Sequence, residues 1–294
     1  LNAALRADNR AMNLQATLDG QLKPDDIAAH LQMEVGKLDW HAMKLMDVPF
    51  STSHHFDVTF DTDLRKKYQL EASMTNTSVQ APKRQFKTKD LFIGFNTQAD
   101  STQAYLKAGD LDMDLQALGH IETLGAQTDT LIATLNRQWT TKTIDQEALK
   151  LLFPTMTLHI TSGKDNPICN VLAMKGITYD QLHMDFQSSP EEGLNGKSSV
   201  YGMHTDSLML DTLYLNVTHG LEGLDFQTGV ISKARKGQEA FDIDLDGFIH
   251  NGSAQVMLQY LNAKKEQGVY MGLNAELRRR GIRMKLIPET PTLV

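Results

Sequence analysis

The 294 residues include one cysteine, Cys169, and two tryptophans, and only 7% are aromatic. A single cysteine excludes an internal disulfide. The shortage of aromatics argues against an outer-membrane barrel, which carries aromatic girdles at both interfaces. No apolar run is long enough for a membrane-spanning helix, and mean hydropathy is −0.34. Basic charge is also in deficit, with 29 Lys and Arg against 36 Asp and Glu for a formal charge of −7. Nucleic acid demands a concentrated basic surface and is therefore not an expected partner. Two small basic groups, Arg278-Arg279-Arg280 and Lys233, Arg235 and Lys236, read as solvated faces or strand ends.

Catalytic signatures are missing too. The chain has no H-E-x-x-H, G-x-S-x-G, G-x-G-x-x-G or Walker loop, and no cysteine pair for a metal. Ser162-Gly163-Lys164-Asp165 lacks the upstream glycine spacing of a phosphate loop and reads as a turn. His54, His55 and Asp57 offer ligand types, but they alternate across a strand and no fourth ligand can be named. Cys169 has no evident basic neighbour and reads as a small buried or half-buried residue. The residues point to no enzyme, no cofactor and no metal.

What the chain has is alternation. Met12, Leu14, Ala16 and Leu18 open a series of runs with period two, and Ile282, Met284 and Leu286 close it. The stretch AFDIDLDGF, residues 240–248, shows the pattern. Asp242, Asp244, Asp246 and Gly247 resemble the start of an EF-hand loop, but the twelfth position is Ser253, which cannot supply the bidentate carboxylate. Phe241, Ile243 and Leu245 alternate with the acids, so a strand with one wet and one dry face is expected. About fifteen strands follow from such runs. Asp19-Gly20, Asn195-Gly196, Asp246-Gly247 and Asn251-Gly252 read as hairpin turns.

From Ala117 to Phe153 the period changes. Ile121, Leu124, Thr128, Leu131, Leu135 and Trp139 fall at helical spacing. A second short helix is expected from Thr143, capped by its hydroxyl, with Gln146 in capping-box position and Pro154 at its end. The chain thus divides into a β segment over 1–116, a helical insertion over 117–153, and a β segment over 154–294 that continues the same sheet.

The dry face is rich in aliphatics and methionine, including Met12, Met33, Met74, Met113, Met156, Met184, Met257, Met271 and Met284, a soft and adaptable lining. Long alternation with few aromatics fits a mainly β fold: an antiparallel, meandering sheet rolled into an open groove, apolar inside and polar outside. A closed sandwich is the other soluble solution. A carbohydrate-binding or hydrolytic sheet would need aromatics beside its carboxylates, and the outward aspartates have no such company in the sequence. The pattern runs from Leu1 with no initiator methionine and no signal peptide, as in a segment of a longer protein.

Several loop phrases carry a resemblance. Thr161-Ser162-Gly163-Lys164-Asp165-Asn166-Pro167, Lys175-Gly176-Ile177-Thr178-Tyr179-Asp180, and Ser189-Pro190-Glu191-Glu192-Gly193-Leu194-Asn195-Gly196 are followed by Asp206-Ser207-Leu208 and Asp211-Thr212-Leu213. Together they resemble the middle region of TamB proteins of Bacteroidota type, within the wider AsmA-like group. The resemblance implies a periplasmic segment of an inner-membrane-anchored envelope protein, whose β-groove conducts phospholipid between the inner and outer membranes. It also implies a TamA-like outer-membrane barrel as a partner of other regions. A structural or chaperone scaffold for outer-membrane protein assembly is the alternative. Under the conduit reading the groove is lined by Met33, Val58, Met113 and Leu115 in the first β segment. In the second, the lining is Met156, Leu158, Ile160, Leu182, Met184, Phe186, Leu213, Leu215, Val217, Phe241, Ile243, Leu245, Val256, Leu258, Val269, Met271 and Leu273. Phospholipid acyl chains are the expected ligand.

Overall fold

Alternating runs bounded by polar turns fold as antiparallel ladders, because only a pleated strand places every second side chain on one face. The computed structural model describes residues 1–205, 208–278 and 281–287. Asp206 and Ser207 of the quoted phrase, and Arg279 and Arg280 of the arginine run, lie outside the described residues. The chain is mainly β, with 61% in strands and 12% in helices. It divides into two units, Leu1–Ile121 with Asp165–Val171, and Glu122–Lys164 with Leu172–Val294.

The first unit is a meander of nine strands, β1 (Asn2–Asp8), β2 (Met12–Lys23), β3 (Asp26–Asp39), β4 (Ser51–Thr62), β5 (Tyr68–Ala81), β6 (Arg84–Lys87), β7 (Leu91–Thr97), β8 (Ser101–Ala108) and β9 (Leu111–Leu118). Each strand pairs antiparallel with a sequence neighbour, and β5 holds both β6 and β7 along its length. The second unit carries α1 (Ile121–Thr141, with Ile121 at the boundary) and α2 (Gln146–Lys150). Its own meander comprises β10 (Met156–Ser162), β11 (Gln181–Ser189), β12 (Gly193–His204), β13 (Met209–His219), β14 (Leu224–Ser232), β15 (Phe241–His250), β16 (Ser253–Leu261), β17 (Gln267–Arg278) and β18 (Gly281–Leu286). A third helix, α3 (Pro167–Met174), starts at Asn166, whose side chain accepts from Cys169 N at 2.9 Å. The strand order in each unit is linear and the sheet is open.

Little of this sheet is sealed from water. Among the described residues nine apolar side chains are buried: Val35, Val79, Ala108, Leu111, Ala117, Leu124, Leu149, Cys169 and Leu210. The accessible surface is 18259 Å², whereas two separate well-packed bodies of half the 32.9 kDa mass would together expose about 15,000 Å². A sandwich would bury its inner faces completely; here those faces stay half-exposed.

Several local expectations are corrected. Asp19-Gly20, Asn195-Gly196 and Asp246-Gly247 lie inside β2, β12 and β15; only Asn251-Gly252 makes a hairpin turn, with φ of 42° and 78°. The helical insertion begins later than Ala117, because Ala117 and Leu118 complete β9 against Thr102 and Ser101. The cap of α2 is Asp145, which accepts from Ala148 N at 3.0 Å, while the Thr143 hydroxyl turns to that of Thr141. An aspartate accepts the helix's free N–H and also favours the positive end of its dipole, so it outcompetes the threonine two residues earlier.

Candidate functional site

Register decides which side chains share a face. In the first unit, the ladder through Val58 aligns Leu18, Leu31, Val58, Ala72, Ile93, Leu106 and Met113 across seven strands. Flanking rows carry Met33 with Ala16, Phe56 and Met74, and Leu115 with Ala104 and Phe95. The four candidates of this unit therefore lie on one apolar face. The other face is a ladder of polar pairs: His30 Nε2 meets Asp57 at 3.0 Å, Gln32 Nε2 donates to Asp57 at 3.0 Å, and His55 Nδ1 meets Glu34 at 2.8 Å. His54 stands alone on the apolar side, opposite Val35.

The second unit repeats the arrangement with longer rows. Ile160, Met184, Ser198, Leu215, Thr228, Leu245, Leu258 and Met271 are in register across eight strands. On one side run Leu158, Phe186, Gly196, Val217, Phe226, Gly247, Val256 and Leu273. On the other run Leu182, Val200, Leu213, Val230, Ile243, Tyr260 and Val269. Met156 and Phe241 extend this face at its two margins, opposite Ser188 and Ser232. All seventeen candidates of this unit share it. Met257 does not: it pairs with Asp246 and Gly272 on the polar face, because its alternation with Val256 and Leu258 puts it out of phase.

The misread glycines shape this face. Gly196 and Gly247 sit directly opposite Phe186 and Phe226, and each ring lies over the glycine where a Cβ would stand. A ring laid flat over a bare backbone lets the strands bend and keeps the row low. The polar face uses the same device twice, once in each unit. Tyr105 crosses Gly94 to donate to Glu71, and Tyr214 crosses Gly229 to donate to Asp244. The bond to Glu71 raises the Tyr105 pKa; burial, then the Asp244 bond, raises that of Tyr214. The aspartates of AFDIDLDGF are thus sheet-face partners: Asp244 takes the Tyr214 hydroxyl and Asp242 takes Lys265. Among the described residues no group of three or more His, Cys, Asp or Glu side chains is placed to hold a metal ion.

The outward aspartates have two aromatic neighbours, Tyr214, which is bonded to Asp244, and Phe248, which lies one residue beyond the Asp-Gly step. Phe248 lines a shallow depression of ≈440 Å³ with Asp225, Asp246 and Gln255, but its ring stacks on His250 at 6.2 Å. Arg235 of the small basic group is engaged, donating to both Asp211 oxygens at 2.8 and 2.9 Å, which holds the Asp211 carboxyl below the usual range.

Residues 144–154 lie over one margin of the second unit's apolar face. Gln146 and Asn251 exchange hydrogen bonds at 3.3 and 3.4 Å, Ser188 Oγ donates to the Pro154 carbonyl at 2.7 Å, and Phe153 meets the His219 ring edge-on at 6.5 Å. Burial lowers the His219 pKa, Lys150 lowers it further and Glu147 opposes; burial likewise lowers that of His54. A histidine whose folded pKa lies below its unfolded 6.5 binds its proton later when folded, so its contribution holds above that value and is lost as pH falls through it. Thermal stability is expected to decline as pH drops below about 6.5, in a step that a His54→Leu, His219→Leu variant lacks. Melting followed across that window checks this. The aspartates with lowered pKa, Asp39, Asp57, Asp63 and Asp211, act in a separate window, below 3.8.

Several apolar-face residues escaped the candidate set, among them Ile93, Leu106, Val200, Phe226 and Val230. Leu91, Ile93 and Phe95 alternate plainly and could have been found; Val200 lies in a strand whose neighbouring positions are glycine and serine. No protein-family model, no curated protein and no solved structure matches the chain.

Proposed function

We propose that the apolar face of each unit is a path for phospholipid acyl chains, in a non-enzymatic periplasmic segment of a TamB/AsmA-like envelope protein that passes lipid between the inner and outer membranes. The observation that carries this reading is the extent of the apolar face together with its incomplete burial. In the second unit, eight ladder steps of about 4.8 Å by three side-chain steps of about 6.7 Å give a footprint of roughly 800 Å². Ordinary soluble monomers expose apolar patches of about 300–600 Å². Holding such a face in water is unfavourable unless something apolar covers it.

An acyl chain of about sixteen carbons is a fitting cover. Its exposure costs on the order of ten kcal/mol at about 0.8 kcal/mol per methylene. Aliphatic and methionine side chains offer contact without fixed anchors, so a chain can slide along them. Head groups stay in water at the margins. Native mass spectrometry of the chain purified without detergent and exposed to liposomes is expected to show phospholipid adducts. A persistently lipid-free mass would overturn the reading.

A further inference from the structure

Charge is distributed unevenly between the two ends of the first unit's sheet. Met12 pairs with Leu38, Leu38 with Thr52, and Ser51 with Gln80, so the β1–β2, β3–β4 and β5–β6 connections lie at one end. These connections present Arg10, Lys44, Lys83 and Arg84, with Lys87 close behind, and all five are exposed. Among the described residues none of the five meets a carboxylate, whereas at the opposite end Lys23 pairs with Asp26 and Arg65 with Asp25 at 3.3 and 2.6 Å. Asp47 is the one acid within residues 9–11, 40–50 and 82–84; at the depth of Lys87 the strand ends add Asp8, and Asp39, which pairs with Lys37 at 3.2 Å. In a chain of formal charge −7, this end is locally basic.

The middle connection adds apolar side chains. Residues 40–50 form a closed loop whose ends meet through Trp40 N and the Phe50 carbonyl at 2.9 Å. Leu45 N donates to the Trp40 carbonyl at 2.9 Å, His41 Nδ1 meets the Met46 carbonyl at 3.0 Å, and Trp40 Nε1 donates to Thr52 Oγ1 at 3.0 Å. The loop is tied from within, yet Leu45 and Val48 are 61% and 49% exposed at its tip. Neighbouring tips stand about 10 Å apart, two ladder steps each. Unpaired cations flanking exposed aliphatics are the chemistry that meets anionic head groups and the acyl boundary beneath them.

We propose that these three tips form a docking surface for an anionic lipid bilayer. The surface does not depend on the apolar face carrying lipid, although it would hold that face beside a source of it. A polyanion such as nucleic acid would use the cations but leave Leu45 and Val48 in water, so the aliphatic tip favours the bilayer.

Co-sedimentation of the full chain with phosphatidylcholine vesicles, with and without a third of phosphatidylglycerol, tests this. Binding is expected only to the anionic vesicles and to fall as salt rises. Each basic side chain near an anionic surface contributes about fivefold in affinity, so Lys83→Glu with Arg84→Glu should lower binding at least about 25-fold. Leu45→Asp with Val48→Asp should lower it as well, while Lys66→Glu at the opposite end should not. Equal binding to neutral vesicles, or equal loss in Lys66→Glu, would overturn the proposal. So would tight binding of a DNA duplex that survives Leu45→Asp. Uptake of a short-chain fluorescent phospholipid from a soluble carrier separates the two readings: the tip variants should retain it, whatever the vesicles show.

Discussion

Leu215→Asp is expected to abolish phospholipid loading while leaving the second unit folded. Leu215 lies near the middle of one of the two eight-strand rows, between Ser198 and Thr228, and is half-exposed. In a closed core a carboxylate there would be unpaired and buried, and the unit would unfold. On an open face the carboxylate keeps its water, and the cost to the sheet is about 1 kcal/mol of strand propensity. An acyl chain crossing it must strip that water, at a cost of at least about 3 kcal/mol, or roughly a hundredfold in occupancy. Met184→Asp, two row positions away across Ser198, should behave alike. Asn216→Asp, on the opposite face of the same strand, should load normally. Lipid adducts counted by native mass spectrometry, with circular dichroism for the fold, check all three variants.

Gly196→Ala has the largest expected effect on stability. An added Cβ would overlap the Asp185 carbonyl oxygen and the Phe186 ring and lie 2.8 Å from Phe186 Cα. Backbone cannot swing aside as a side-chain tip can, so the β11–β12 ladder must part locally. Overpacking of this kind costs about 2–3 kcal/mol, a fall of about 6–10 °C in melting temperature for a unit of this size. Gly125→Ala in α1, where nothing lies within 4 Å, should instead gain up to about 1 kcal/mol. Thermal melts of the two variants side by side test whether the strand glycine serves its aromatic partner or merely tolerates it.

That glycine also shows where the sequence was legible. Period two is written in the chain wherever aliphatics occupy the dry positions, so the strands through Val58, Met184 and Leu245 were readable, and their faces with them. It fades in β12, whose dry face carries Gly196, Ser198 and Gly202. Asn195-Gly196 and Asp246-Gly247 look like hairpin turns locally, but they are strand because a phenylalanine on the neighbouring strand needs the space. That cause lies ten or more residues away. The α2 cap lies two residues beyond Thr143: Thr143 and Asp145 both satisfy the capping rule, the aspartate's charge favours the helix's positive end, and Gln146, the capping-box partner of Thr143, bonds Asn251 instead. Helix α3 shows in the sequence only at its start, where Asn166 and Pro167 are a sound cap and first residue, because 8 residues are about two turns and too few to establish a period. The basic tips were invisible for another reason. Arg10, Lys44 and Lys83 are far apart in the chain and become neighbours only once the ladders are in register.

The proposed conduit places lipid on the apolar face. A photo-crosslinking residue placed at Leu215, and in a separate variant at Asn216, tests it with each chain loaded from labelled phospholipid vesicles. The two positions are adjacent in β13 and differ only in the face they present. Label captured at position 215 and absent at 216 is the expected result. Equal capture at the two positions, or capture at neither, would contradict the conduit and favour a scaffold whose apolar face is covered by protein.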